Sequence, residues 1–161
     1  MKVYLKSEKI QPLVSVVVPV FNGTFGQIKE ALESIKFQNY PNLECLIIDD
    51  STKQENIDLL KNYCLDDSRF NYIGRYGADG LGAALRYGIN YCKGKFIARM
   101  DTDDISIPSR IATQVTFLND NPEVAVVGSN VTLIDEKGTE FGKKVYGDDH
   151  QSIVKQFVYK N

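Results

Sequence analysis

Short β-branched runs and amphipathic segments of helical period take turns along most of this chain, and that alternation constrains the fold more than any single motif does. Val14 to Val18 is nearly all valine and ends at Pro19, which has no N–H to donate to a sheet ladder. After Asn22-Gly23-Thr24, a turn and cap signal, Ile28, Ala31, Leu32 and Ile35 recur at helical spacing until Asn39-Tyr40-Pro41 closes the segment. Leu43 to Ile48 reads as a second buried strand ending in Asp49-Asp50-Ser51. A helix from about Glu55 to Tyr63 follows, with Ile57, Leu60 and Tyr63 as its stripe. Phe70 to Gly74 predicts a short third strand. Leu81 to Cys92 predicts a helix with Leu81, Ala84, Leu85 and Ile89 on one face, stopped by Lys93-Gly94 before a strand that opens at Phe96.

Beyond that strand, Pro108 suits a first helical turn, and Ile111, Val115 and Leu118 form a stripe as far as Asn121-Pro122. Val124 to Val127 predicts another strand. Val131 to Ile134 and Phe141 to Val145 flank the turn-rich Asp135-Glu136-Lys137-Gly138, which predicts a hairpin at the sheet margin. The last dozen residues read as a helix. Repeated β–α steps imply an α/β fold of three layers, α/β/α and Rossmann-like, with a mostly parallel sheet covered on both faces. Ligands of such sheets bind outside the carboxyl ends of the strands, where Asn22, Asp50 and Asp101 to Asp104 all fall. The chain shows no internal repeat, linker or low-complexity segment, so a single domain over residues 1–161 is expected.

Composition narrows the function classes. The 161 residues, 43% hydrophobic and 25% charged, suffice for one unit with a real core. A formal net charge of -2 offers no general electrostatic reason to bind nucleic acid, which is not expected as a partner. Cys45, Cys64 and Cys92 are odd in number and lack CxxC spacing, which favours reduced thiols over disulfides or zinc and points to the cytoplasm. No signal-peptide pattern is read at the start of the sequence, so none is expected. The run from Val14 to Phe21 is too short to span a bilayer, so no transmembrane segment is expected here, and attachment at the inner membrane surface would come from other regions.

The stretch Phe96-Ile97-Ala98-Arg99-Met100-Asp101-Thr102-Asp103-Asp104 carries the strongest chemical signal. An apolar strand pattern runs into three carboxylates within four positions. On an extended strand Asp101 and Asp103 would share a side, about 6.6 Å apart. Such anions repel unless a cation intervenes, and all-oxygen sites suit Mg²⁺ or Mn²⁺, with a diphosphate as the natural guest. The competing reading is an acidic turn after a strand, since Asp favours loops.

Taken together, Val14-Ser15-Val16-Val17-Val18-Pro19-Val20-Phe21-Asn22, Leu46-Ile47-Ile48-Asp49-Asp50-Ser51-Thr52 and Gly94 through Asp104 resemble the inverting glycosyltransferase family 2 in order and spacing. The segment Ile105 to Ile134, with Pro108, Arg110, Asn121-Pro122-Glu123 and Val127-Gly128-Ser129, resembles the subgroup that builds bacterial surface polysaccharides. The resemblance implies the GT-A fold and a metal-dependent transfer from a nucleotide-diphospho-sugar, a UDP-sugar favoured, to a saccharide or lipid-linked acceptor. It implies that Pro19 and Phe21 flank the nucleotide base, that Asp50 accepts a hydrogen bond from a base ring nitrogen, and that Asp49 is a structural turn residue. It gives Asp103 the direct contact to Mn²⁺ or Mg²⁺ and Asp101 the ribose or a place behind the metal, with Asp104 a neighbour. From the residues alone, Phe21 suits a core aromatic better than a base contact, and Asn22 suits a turn or cap residue as well as a ligand contact.

Several positions depart from the pattern. Ala78-Asp79-Gly80 lacks the Asn that many relatives carry there. Arg75 and Arg86 suit phosphate contacts or solvated charges, Arg99 can pair with an acid, and His150 suits a helix start better than a ligand. The family's usual downstream Asp base is not matched, which leaves the catalytic base unknown, Asp148 and Asp149 being the late candidates, and implies a donor-binding portion without its acceptor region. Two other classes stay open. A haloacid-dehalogenase-type phosphatase would need its Asp-x-Asp after the first strand rather than the fourth. A catalytically incomplete nucleotide-sugar binding module is the stronger alternative.

Overall fold

The computed structural model describes residues 11–75, 77, 79–147 and 149–159, the side chains of 156–159 excepted. These fall into two compact units, the first running to Phe117 and the second starting at Leu118.

The first unit is built from β1 (Val14–Val20), α1 (Phe25–Lys36), β2 (Leu43–Asp49), α2 (Gln54–Asp66), β3 (Phe70–Gly74), α3 (Leu81–Ile89), β4 (Phe96–Arg99) and most of α4 (Arg110–Asp120). Its four strands pair in parallel in the order β3-β2-β1-β4. Alternation along β1 sorts the core into two sides. Val14, Val16, Val18 and Val20 pack with Ile28, Ala31, Leu32 and Ile35 of α1, Leu60 of α2, and Ile111 and Val115 of α4. On the opposite face Val17, Leu46 and Ile48 pack with Ala84 of α3. Helices therefore cover both faces of the sheet, giving the expected three layers. Burying each such Val, Leu or Ile contributes about 1.5–3 kcal/mol, so the stripe of α1, buried at all four positions, anchors that helix without help from intrinsic propensity. On the other side α3 approaches closely because residue 88 is glycine. A Cβ there would lie 2.8 Å from both Val17 and Ile48.

Element boundaries shift for identifiable reasons. β1 continues past Pro19 to Val20. Met100 N donates to Val17 O, so the odd residues of β1 direct their backbone groups toward β4, and β4 has ended by the level of Pro19. The missing proline donor therefore falls where no ladder bond is required. α3 stops at Ile89 rather than Cys92, as the amides of Asn90, Tyr91 and Cys92 switch to carbonyls three residues back.

The second unit holds β5 (Val131–Ile134), β6 (Glu140–Lys144) and α5 (His150–Tyr159). The predicted hairpin forms, but as its own two-stranded antiparallel sheet rather than as a margin of the parallel one. Its turn is held by Asp135 Oδ1, which accepts from Lys137 N at 2.9 Å and Thr139 N at 2.8 Å, with Gly138 supplying a positive φ of 77°. The strand expected over Val124 to Val127 does not form. Val126 is 85% exposed and the segment has no ladder partner among the described residues, so β-branched propensity goes unrewarded. His150 opens α5, as its sequence context predicts, behind an Asp149 carboxylate that caps Ser152 N at 3.0 Å.

Candidate functional site

Three polar segments end neighbouring strands of the parallel sheet, and each is built differently. The loop after β1 turns sharply at Asn22, whose φ of 48° is a left-handed conformation that Asn tolerates better than most residues. Its side chain ties this loop to the one after β2. Nδ2 donates to Thr52 Oγ1 at 3.1 Å and Oδ1 accepts Thr52 N at 3.1 Å, while Asn22 N reaches Ser51 Oγ at 3.4 Å. Asn22 is thus a loop-bridging residue, and the helix cap is Thr24, which accepts from Gln27 N and donates to Gln27 Oε1 at 2.7 Å. Phe21 is 59% exposed, so it is not a core aromatic. Pro19, in register with Ile48, is half-buried in the strand.

At the end of β2 the two adjacent aspartates divide their work. Asp49 is buried and satisfied internally, accepting Ser51 N at 2.9 Å and Tyr72 Oη–H at 2.9 Å, which makes it a structural residue. Asp50 is gripped by Arg75, from the end of β3. Arg75 Nε lies 3.0 Å from Oδ1 and 3.1 Å from Oδ2, and Nη2 lies 2.8 Å from Oδ2. The Asp50 side chain is 6% exposed and that of Arg75 12%. Arg75 also pairs with Asp79, and the two carboxylates, Asp50 first, raise its pKa. Its charge is therefore spent on protein carboxylates. Arg86 stands exposed on α3, and Ala78 lies outside the described residues.

The acidic cluster does not continue the strand. β4 stops at Arg99 because its ladder to β1 ends there, and Thr102 and Asp103 form a turn, with Asp104 N 3.4 Å from Asp101 O. The shared strand face expected for Asp101 and Asp103 is thus replaced by a loop. Asp101 is half-buried and paired with Arg99, whose Nε is 2.9 Å from Oδ1. Asp103 and Asp104 are exposed. Partial desolvation of an otherwise exposed carboxyl, followed by the charges of Asp103 and Asp101, shifts the Asp104 pKa upward. Arg110, at the start of α4, stands behind the cluster. It donates to Arg99 O at 2.8 Å and approaches Met100 Sδ at 3.3 Å, and burial lowers its pKa against the pull of Asp104 and Asp101.

The three segments are contiguous. Asp50 N donates to Val20 O at 3.0 Å, Asn56 Nδ2 donates to Gly23 O at 3.2 Å, and a Cβ on Gly23 would lie 3.8 Å from Thr102 Oγ1. Pro19, Phe21, Asn22, Asp50, Asp101 and Asp103 therefore gather along one sheet edge within the first unit. His150 and Asp149 belong to the second unit, and Asp148 lies outside the described residues. Among the described residues no group of three or more His, Cys, Asp or Glu forms a protein cage for a metal ion. A hard divalent ion needs no such cage when one or two carboxylates share it with substrate phosphates and water. The crowded, oxygen-only loop with exposed Asp103 fits that mode.

Sequence reasoning passed over Asn56, Gln38 and the Asp50–Arg75 pair. Each acts across 25 or more positions of sequence, where no local period can reveal it.

An open parallel sheet with polar loops at adjoining carboxyl ends has the layout in which α/β folds place their ligands. Solved structures share it. The mannosyltransferase PcManGT from Pyrobaculum calidifontis, in complex with GDP-Man and Mn²⁺, matches with a TM-score of 0.64 at 22% identity, over 70% of this chain and 34% of that one. TarS of S. aureus in complex with UDP-GlcNAc matches with a TM-score of 0.61 at 23% identity, over 68% of this chain and 32% of that one. These neighbours establish the GT-A fold. The model of the family "Glycosyl transferase family 2" matches residues 15–160, and the chain belongs to that family. It is 36% identical over 134 residues to an uncharacterized glycosyltransferase of Rickettsia felis, covering 80% of this chain and 21% of that protein. It is 34% identical over 128 residues to the putative glycosyltransferase EpsE of Bacillus subtilis, covering 79% of this chain and 46% of that protein. The chain thus spans less than half the length of these relatives.

Proposed function

We propose that this chain binds a nucleotide-diphospho-sugar through a divalent cation and serves sugar transfer, with inversion, to an acceptor hydroxyl in cytoplasmic surface-polysaccharide synthesis. The observation that carries the reading is the contiguity of an exposed aromatic, an oriented carboxylate and a crowded acidic loop at the ends of β1, β2 and β4, respectively. Neighbours of the same fold that hold GDP-Man with Mn²⁺ and UDP-GlcNAc support it.

Each residue has a physical task in this reading. Phe21 offers its exposed ring to a base that Pro19 also flanks. Asp50 accepts the base ring N–H with lone pairs that Arg75 does not use, and Arg75 fixes the carboxylate's orientation. Asp101, steadied by Arg99, faces the ribose, and Asp103 contributes the carboxylate oxygen for Mn²⁺ or Mg²⁺. When bound, the ion supplies positive charge that stabilises the diphosphate as the anomeric C–O bond breaks. Inverting transfer also needs a general base for the acceptor proton, for which no residue of this chain is put forward.

Titration calorimetry with UDP and GDP, in Mn²⁺, in Mg²⁺ and in chelator, tests the reading directly. Binding should be markedly tighter with the cation than in chelator and should favour UDP. Equal affinity in chelator would overturn the metal-mediated reading.

A further inference from the structure

We propose that Gln38 is a positioning residue for the acidic loop, a buried clasp from the end of α1 that holds the downstream side of residues 101–105 in place. The inference rests on the proposed metal-mediated donor binding.

The acidic segment does little to hold itself. Among the described residues its one internal backbone bond is the long Asp104 N to Asp101 O contact of 3.4 Å, and its three carboxylates repel one another. Its position is therefore set by its two ends. Upstream, Met100 N is bonded to Val17 O at 3.1 Å, and Arg110 holds Arg99 O. Downstream, the work falls to α1. Gln38 is 7% exposed, and both ends of its amide are used. Nε2 donates to Ile107 O at 2.8 Å and to Ser34 O at 3.0 Å, with Ser106 Oγ at 3.3 Å, while Oε1 accepts Ile111 N at 3.0 Å, one of the first-turn donors of α4. Ser34 Oγ adds a bond from Ser106 N at 3.0 Å, and Asn39 N donates to Pro108 O at 2.9 Å. One side chain thus bridges α1, the segment that leaves the acidic loop, and the start of α4.

This arrangement has a directional consequence. None of these bonds reaches Phe21, Asn22 or Asp50, so loosening the clasp should disturb Asp103 and leave the base side alone. Outer residues that orient metal ligands typically change metal affinity 10- to 100-fold when removed. The discriminating quantity is the ratio of UDP dissociation constants in chelator and in Mn²⁺, measured by calorimetry on the parent, on Gln38→Met and on Ser34→Ala. Gln38→Met keeps the side-chain length and removes every hydrogen bond of the amide side chain. It should cut the ratio roughly tenfold while leaving the chelator value unchanged. Ser34→Ala, which keeps Gln38, should cut it less, and it carries the test alone if Gln38→Met does not fold. Amide hydrogen exchange without ligand should quicken at 102–107 ahead of β1 and β2.

A retained ratio, an equal loss in metal and chelator, or uniformly faster exchange would each overturn the clasp. A parent protein whose UDP binding ignores the metal would instead overturn the donor-binding reading beneath it.

Discussion

Two acidic centres sit on the same sheet edge and are treated in opposite ways. Asp50, at the end of β2, is enclosed and bracketed by Arg75. Asp103 and Asp104, beyond β4, stand exposed, and no Lys or Arg forms an ion pair with either among the described residues. The first centre has brought its countercharge from β3 and is finished as protein. The second is a concentration of like charge that folding leaves unbalanced, with Arg110 behind it rather than upon it. A pre-neutralised carboxylate can only orient and accept hydrogen bonds, whereas an unbalanced cluster gains by taking up a cation. The difference separates reading a base from holding a charged diphosphate.

The contrast is most directly broken at the ligand. Asp103→Ala should weaken nucleotide diphosphate binding in Mn²⁺ by about 1.5–3 kcal/mol, roughly ten- to a hundredfold, and have no effect in chelator. Asp50→Ala should lose a similar amount in both conditions. Calorimetry on the two variants would contradict the division of labour if their metal profiles matched.

Stability sharpens the same comparison. Arg75→Met strands the enclosed Asp50 without its partner, while Arg99→Met merely frees the half-exposed Asp101. The melting temperature should therefore fall more for Arg75→Met than for Arg99→Met, and Asp50→Asn added to Arg75→Met should recover part of the loss. Equal shifts would show that Asp50 is not the protein-neutralised centre described above.

Asn22 joins the base-side loops and tests whether backbone geometry or side-chain bonding matters more there. Asn22→Gly keeps the left-handed turn and loses the bonds to Thr52, whereas Asn22→Ala loses both. Urea denaturation should find the Ala variant less stable than the Gly variant by about 1 kcal/mol.

The smallest effect belongs to a control pair at the opposite end of the sheet. Arg69, by its hydrogen bonds to the Asp67 carboxylate, holds that group below its ordinary value of 3.8. A depressed carboxylate contributes stability that is present above its unfolded pKa and disappears as pH falls through the folded value. Asp67→Asn should thus be less stable than the parent at pH 7, and the gap should close below pH 3.8. A gap that persists in strong acid would show that the bond, not the charge, does the work.

Much of this was legible from residues alone. The valine run of β1, the stripe of α1 and the apolar β2 are strong local patterns, and all three form where expected. The Asp-x-Asp loop was visible as composition. Its shape was not, because whether Asp101 and Asp103 stay extended depends on how far β1 offers β4 a ladder. Val124 to Val127 failed for the same reason: a β-prone segment is a strand only if another strand takes its hydrogen bonds.

By itself the sequence determined the order and kind of the elements of the parallel sheet and which loops carry acids, since periodicity and turn chemistry act over a few residues. Tertiary structure alone decided which acids are neutralised and which are left open. Arg75 reaches back 25 positions to Asp50, and Gln38 reaches 69 forward to Ile107. Those pairings are selected by burial, which forces every enclosed charge and amide to find a partner wherever the fold brings one within about 3 Å.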